Sequence, residues 1–200
     1  MITSVVAAVV LSVQVPTIEM TITSGGKEVG KAWLTQKLES GAKKTYAKLI
    51  LGDVRIVETA EYTMDGTPKV KVLTHTTMGK DIRIEAVFGP SNVKVTVAGQ
   101  PTTVALPTNG SLQAKSEFWF LQTKPPVNHT VEYQRFDLST RKFAPCKVTF
   151  VGREEITMHG KKLVANRVKV DGKTDAWLDE RADPYRMVID GGTRFERTGP

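Results

Sequence analysis

The chain has 200 residues and a mass of 22.0 kDa, a length that supports one ordinary domain whose folding removes about 70% of the unfolded surface from water. With 40% hydrophobic and 24% charged residues, 16 Gly and 10 Pro, it is neither a disordered nor a collagenous chain, and a single cysteine excludes a disulfide-stapled miniprotein. Lys and Arg number 28 against 21 Asp and Glu, a net charge of +7 and a pI near 9.5.

Val, Thr and Ile make up 57 of the 200 residues. Such side chains lose rotamer freedom in helices and pack well on pleated sheets, so a mainly β protein is expected. The basic excess is scattered over alternating positions such as Lys69, Lys71, Arg83, Lys94, Arg167 and Lys169, and its clusters are short: Lys43-Lys44, Arg141-Lys142 and Lys161-Lys162. A surface that tracks phosphates gathers cations on one element with aromatics between them. The charge is therefore read as the solvated side of strands, and no nucleic-acid partner is expected.

At the amino terminus, Val5–Val13 has the length of a signal h-region and falls short of the roughly 20 residues that span a bilayer. Ser12 and Gln14 suit the −3 and −1 cleavage positions. Residues 1–14 are read as a signal peptide followed by one β-rich domain over 15–200, which implies a secreted or periplasmic protein that does not span the membrane. A first β-strand is the competing reading of the same segment.

The Gly25–Gly30 stretch lacks the spacing of a phosphate loop and reads as a hairpin turn. Lys31–Ser40 is ambiguous: Leu34 and Leu38 at i,i+4 with Gly41 behind them fit a short helix, yet the segment also fits a strand turning at Gly41-Ala42. Alternating runs follow at Thr45–Leu51, Val54–Tyr62 and Pro68–Thr76, then at Ile82–Phe88 and Val93–Val97 around Gly89-Pro90-Ser91. Pro101–Gly110 reads as a mid-chain crossing. Ser116–Gln122 reads as a strand, and Thr130–Phe136, Lys147–Val151, Lys162–Val170, Lys173–Asp179 and Tyr185–Ile189 complete the set. Asp65-Gly66, Asn109-Gly110, His159-Gly160, Asp171-Gly172 and Gly191-Gly192 mark turns. About ten strands in mostly up-and-down order are expected, because a parallel sheet would need helical crossovers that do not appear.

Candidate chemistry is sparse. His75, His129 and His159 are far apart and lack metal-ligand spacing, and Cys146 has no histidine near it in sequence. Adjacent acids at Glu154-Glu155 and Asp179-Glu180 point to opposite faces of a strand and cannot flank one bond. No nucleophile elbow or dinucleotide loop occurs. No enzyme activity, cofactor or metal is expected. Asn109-Gly110-Ser111 and Asn128-His129-Thr130 are glycosylation sequons, relevant only in a eukaryotic secretory pathway.

The aromatics carry more information. As a strand, Glu117–Leu121 would set Phe118 and Phe120 on one face and Trp119 and Leu121 on the other, so both faces would be apolar. Trp33 and Trp177 likewise oppose the parity of Leu34 and Leu178. Two apolar faces require a second covering layer or an apolar groove. Trp33, Phe118, Trp119, Phe120 and Trp177 are therefore the candidate ligand-binding residues, with ordinary packing as the alternative.

The turn Gly26–Gly30, Asp65–Pro68, Phe118-Trp119-Phe120, Tyr133–Asp137, Gly152–Ile156 with His159-Gly160-Lys161, and the terminal Ala176–Glu180 with Tyr185-Arg186 together resemble uncharacterised bacterial secreted β-proteins, similar in outline to the lipoprotein-localisation carriers. The resemblance implies a single long antiparallel sheet curled into an open half-barrel with little helix. It also implies an extracytoplasmic, non-enzymatic protein that binds a lipid or other apolar ligand. An envelope protein-protein interaction module using the sheet face or edge is the alternative.

Overall fold

The computed structural model describes residues 17–108 and 118–199. The signal segment 1–14 and the Asn109-Gly110-Ser111 sequon lie outside the described residues. The strands are β1 Ile18–Ser24, β2 Lys27–Glu39, β3 Ala42–Leu51, β4 Val54–Thr63, β5 Pro68–Thr77, β6 Lys80–Phe88, β7 Asn92–Val97 and β8 Gln100–Ala105. After a 3₁₀ turn at Trp119–Thr123 come β9 Thr130–Asp137, β10 Lys142–Met158, β11 Lys161–Val170, β12 Thr174–Leu178, β13 Pro184–Ile189 and β14 Thr193–Arg197. All belong to one antiparallel sheet in the order β8-β7-β6-β5-β4-β3-β2-β1-β14-β13-β12-β11-β10-β9. The mainly β, single-sheet fold with little helix is as the sequence implied.

Each half of the chain is a meander of hairpins, and β1 joins the halves by pairing with β14 from Met20↔Arg197 to Thr23↔Arg194. Among the described residues the expected turn pairs do the turning. At Asp171-Gly172 and His159-Gly160 both residues hold positive φ, as the mirror-image hairpin turns require to match strand twist. Lys31–Ser40 resolves to strand: β2 pairs with β3 from Gly30↔Leu51 to Glu39↔Ala42, and a partner on each side outweighs a weak helical preference. Gly30 permits that pairing, because a Cβ there would stand 2.1 Å from the Ile50 carbonyl oxygen.

Three expectations are corrected. Residues 118–122 are not a strand but enter the 3₁₀ turn, which packs on a sheet face instead of joining the ladder. The Pro101–Gly110 crossing begins with β8, an edge strand, where a proline lacking its N–H is tolerated. The sheet has more strands than expected because β1, β8 and β14 are added to the runs, and β10 is longer than expected, running for 17 residues through a bulge at Gly152.

Directly paired residues share a face, so one face can be followed across the whole sheet. Val104, Val93, Phe88, Val95, Ala86, Lys71, Ala60 and Thr45 lead to Gln36, and Leu34 and Ile18 continue that parity into β1. From Ile22 it passes through Phe195, Met187, Ala176, Val168 and Val170 to Val148 and Val131 in β9. Met20, Ile22, Val93, Val95, Val148, Val168 and Leu178 on this inner face are fully buried.

The two edge strands do not hydrogen-bond to each other. On β9, Tyr133 shares the inner face with Cys146, so Phe136 points from the opposite face. Phe136 and the following Leu138 nevertheless bury against the inner-face residues Ile84, Ala86, Val93 and Val95. The Phe136 ring meets Phe88 edge-on at 5.6 Å and Phe143 at 4.9 Å. The outer face of one margin thus lies against the inner face of the other. The open sheet is rolled like a scroll, and among the described residues its overlap is made by side-chain packing and not by a ladder.

Candidate functional site

The interior of the scroll has two unlike halves. Against β9–β12 it is plugged by the 3₁₀ turn: Phe120 is 4% exposed and buried among Tyr133, Cys146, Val148, Val168 and Leu178, with Phe118, Trp119 and Leu121 packed around it. Trp119 meets Tyr133 edge-on at 5.0 Å. The turn closes locally: the Thr123 hydroxyl donates to the Phe120 carbonyl at 2.7 Å, and Lys124, at φ 50°, donates its N–H to Leu121.

Against β2–β5 the interior opens into a cavity of about 330 Å³. Leu34, Ala47, Phe118 and Ala182 supply apolar wall, and Lys43, Glu58, Lys71, Arg135, Asp183 and Gln36 supply polar wall. Registers explain the mixture, since Glu58 pairs with Ala47 and Leu73, and Lys71 with Ala60 and Ala86, on the inner face. Lys71, expected on the solvated side of its strand, has a side chain only 12% exposed. Alternation marks two faces without saying which is inside.

The charges are linked. Lys71 stands 3.9 Å from Glu58 and 5.7 Å from the Tyr62 ring centre. Arg135 reaches Asp171 at 3.7 Å. Gln36 donates to Asp183 and, at 3.0 Å, to the Arg181 carbonyl. The turn between β12 and β13 presents Asp183: Asp179 accepts the N–H groups of Arg181 and Asp183 at 2.9 Å each and receives Arg197 at 3.2 Å. Burial, reinforced by the Asp179 charge, holds the Asp183 carboxyl above its usual value. Burial also lowers the Lys43 ammonium, partly offset by Asp183.

Of the five aromatic candidates, Phe118, Trp119 and Phe120 come together on the plug, and Phe118 alone of the five reaches the cavity wall. Trp33 and Trp177 lie on the outer face. Trp33 carries the Lys48 ammonium at 4.8 Å. Trp177 lies between the guanidinium groups of Arg167 and Arg186, at 5.3 and 5.9 Å, and donates its indole N–H to Glu154. Such cation–aromatic contacts give a half-exposed ring structural work on a sheet surface. The charged lining was missed because it needs the register of five strands, which no single segment displays.

The histidines are dispersed. His75 meets the Thr77 hydroxyl at 3.1 Å, His129 lies against Phe120, and His159 meets the Arg197 carbonyl at 2.8 Å. Among the described residues no three His, Cys, Asp or Glu side chains are grouped to hold a metal. No described helix is long and apolar enough to cross a membrane.

No protein-family model and no curated protein matches this chain. The expected likeness to lipoprotein-localisation carriers therefore has no match at the level of sequence. Among solved structures, the chain is similar to the crystal structure of a beta-barrel-like protein of a domain of unknown function, DUF1849, from Brucella abortus. The match has a TM-score of 0.58 at 11% identity and covers 91% of this chain and 94% of the other. At that identity what is shared is the fold: a mainly antiparallel, barrel-like sheet.

Proposed function

We propose that this chain is a non-enzymatic, extracytoplasmic binding protein that holds a small ligand with an apolar part inside the rolled sheet. The observation that carries this reading is the cavity of about 330 Å³, whose lining includes the apolar Leu34, Ala47 and Phe118. Small-molecule sites occupy roughly 300–1,000 Å³ and combine apolar walls with a few placed polar groups. Burial of apolar ligand surface, worth about 25 cal/mol per Å², would drive binding. The extracytoplasmic location rests on the apolar run Val5–Val13. Native mass spectrometry of the gently extracted protein, with displacement of a fluorescent fatty acid, tests the reading. A copurifying small molecule and displacement are expected; neither a bound mass nor displacement overturns it.

A second reading, an envelope interaction module, is favoured by one feature. The outer backbone edge of β8 is unpaired in the sheet and Gln100–Thr103 are exposed, so a partner strand could add there. Pull-down from an envelope extract separates the two readings, since a carrier copurifies a small molecule and a module copurifies protein.

A further inference from the structure

We infer that the ligand of this cavity is an anionic amphiphile, with a carboxylate, phosphate or sulfate group seated at Lys43 and a short apolar tail against Leu34 and Phe118. The inference rests on the reading of the cavity as a ligand site and goes on to name the ligand's chemistry. The lining holds three cations, Lys43, Lys71 and Arg135, against two acids, Glu58 and Asp183. Both acids already have partners. Glu58 faces Lys71 at 3.9 Å, and Asp183 takes a hydrogen bond from Gln36 and lies 3.6 Å from Arg181.

Lys43 differs from its neighbours. It is half-buried at the cavity wall, and among the described residues no carboxylate stands within ion-pair distance of it. The Asp183 charge reaches it only through space, and burial lowers its ammonium despite that. A partly desolvated cation without a close counter-charge is stabilised by an incoming anion. A cationic head would be repelled by Lys43, since Lys71 and Arg135 already face Glu58 and Asp171, and a neutral head would leave Lys43 as it is. The lysine is a point charge on a flexible stem, so it selects the sign of the head group over its shape. A cavity of about 330 Å³ admits a short apolar chain.

The test titrates the full chain with octanoate, octan-1-ol, octylammonium and inorganic phosphate by calorimetry, for wild type, Lys43→Met and Lys43→Arg. Octanoate is expected to bind about tenfold or more tightly than octan-1-ol, and octylammonium more weakly than either. Lys43→Met should abolish the preference for octanoate over octan-1-ol, and Lys43→Arg should restore it, which separates loss of charge from loss of fold. Octan-1-ol binding as tightly as octanoate, or a preference that survives Lys43→Met, overturns the inference and leaves the cavity reading standing. Phosphate competing as well as octanoate overturns the amphiphile in favour of a free anion. Binding of none of the four overturns the cavity reading itself.

Discussion

Asp183 is 6% exposed, and burial together with Asp179 raises its carboxyl above 3.8. A raised carboxyl binds its proton more tightly in the folded chain than in the unfolded one. Its contribution to stability is therefore full below pH 3.8 and is lost as the pH rises through the raised value. Asp183→Asn keeps an acceptor for Gln36 and removes the charge. This variant is expected to gain on the wild type as the pH climbs from acid to neutral, and to show no gain below 3.8. Urea titrations of both proteins at about pH 3, 5 and 7 measure it; a wild type that gains instead would mean the ionised carboxylate is net stabilising. Lys43 has the opposite sign, since its lowered ammonium gives stability present above 10.5 and lost as the pH falls. At neutral pH both charges work against the fold.

The 3₁₀ turn Trp119–Thr123 has local hydrogen bonds and, among the described residues, no place in the ladder, so what it covers holds it. Phe120→Ala should cost about 3–5 kcal/mol, the range for emptying a buried aromatic site, with the urea midpoint falling and the m-value unchanged. A loss below 1 kcal/mol would mean that the plug is only loosely seated. Elements of this kind are the least legible in a sequence. Phe118–Leu121 is apolar at every position because the sheet lies on one side and neighbouring plug residues on the other, so alternation has nothing to report. By contrast β6 and β7 were legible from Ile82–Phe88 and Val93–Val97, since each has one inner and one outer face with a proline-bearing turn between them. β8 was missed because Pro101 signals a turn everywhere except on an edge. The cavity was illegible for another reason. Lys71 and Lys43 look like ordinary polar strand positions, and only the stacking of β2 to β5 turns them inward.

Across the whole molecule the weakest join is the overlap of β9 on β6 and β7, which has packing and no ladder. Phe136→Ser should remove the centre of that overlap. Hydrogen exchange is then expected to rise first in β8 and β9, while β1, paired on both sides, keeps its protection. Uniform loss of protection over all strands would show instead that the overlap and the ladder open together. A barrel whose ladder closes has its girth fixed by strand number and stagger. The scroll obeys no such condition: its β9–β10 layer can shift along the opposing face without breaking a ladder hydrogen bond. The bore of the molecule is thus a matter of the side chains caught in the lap joint, where Ala86 is fully buried in the same cluster as Phe136. Bulk added at such a position would turn the roll outward and widen the lumen while leaving the number of strands unchanged.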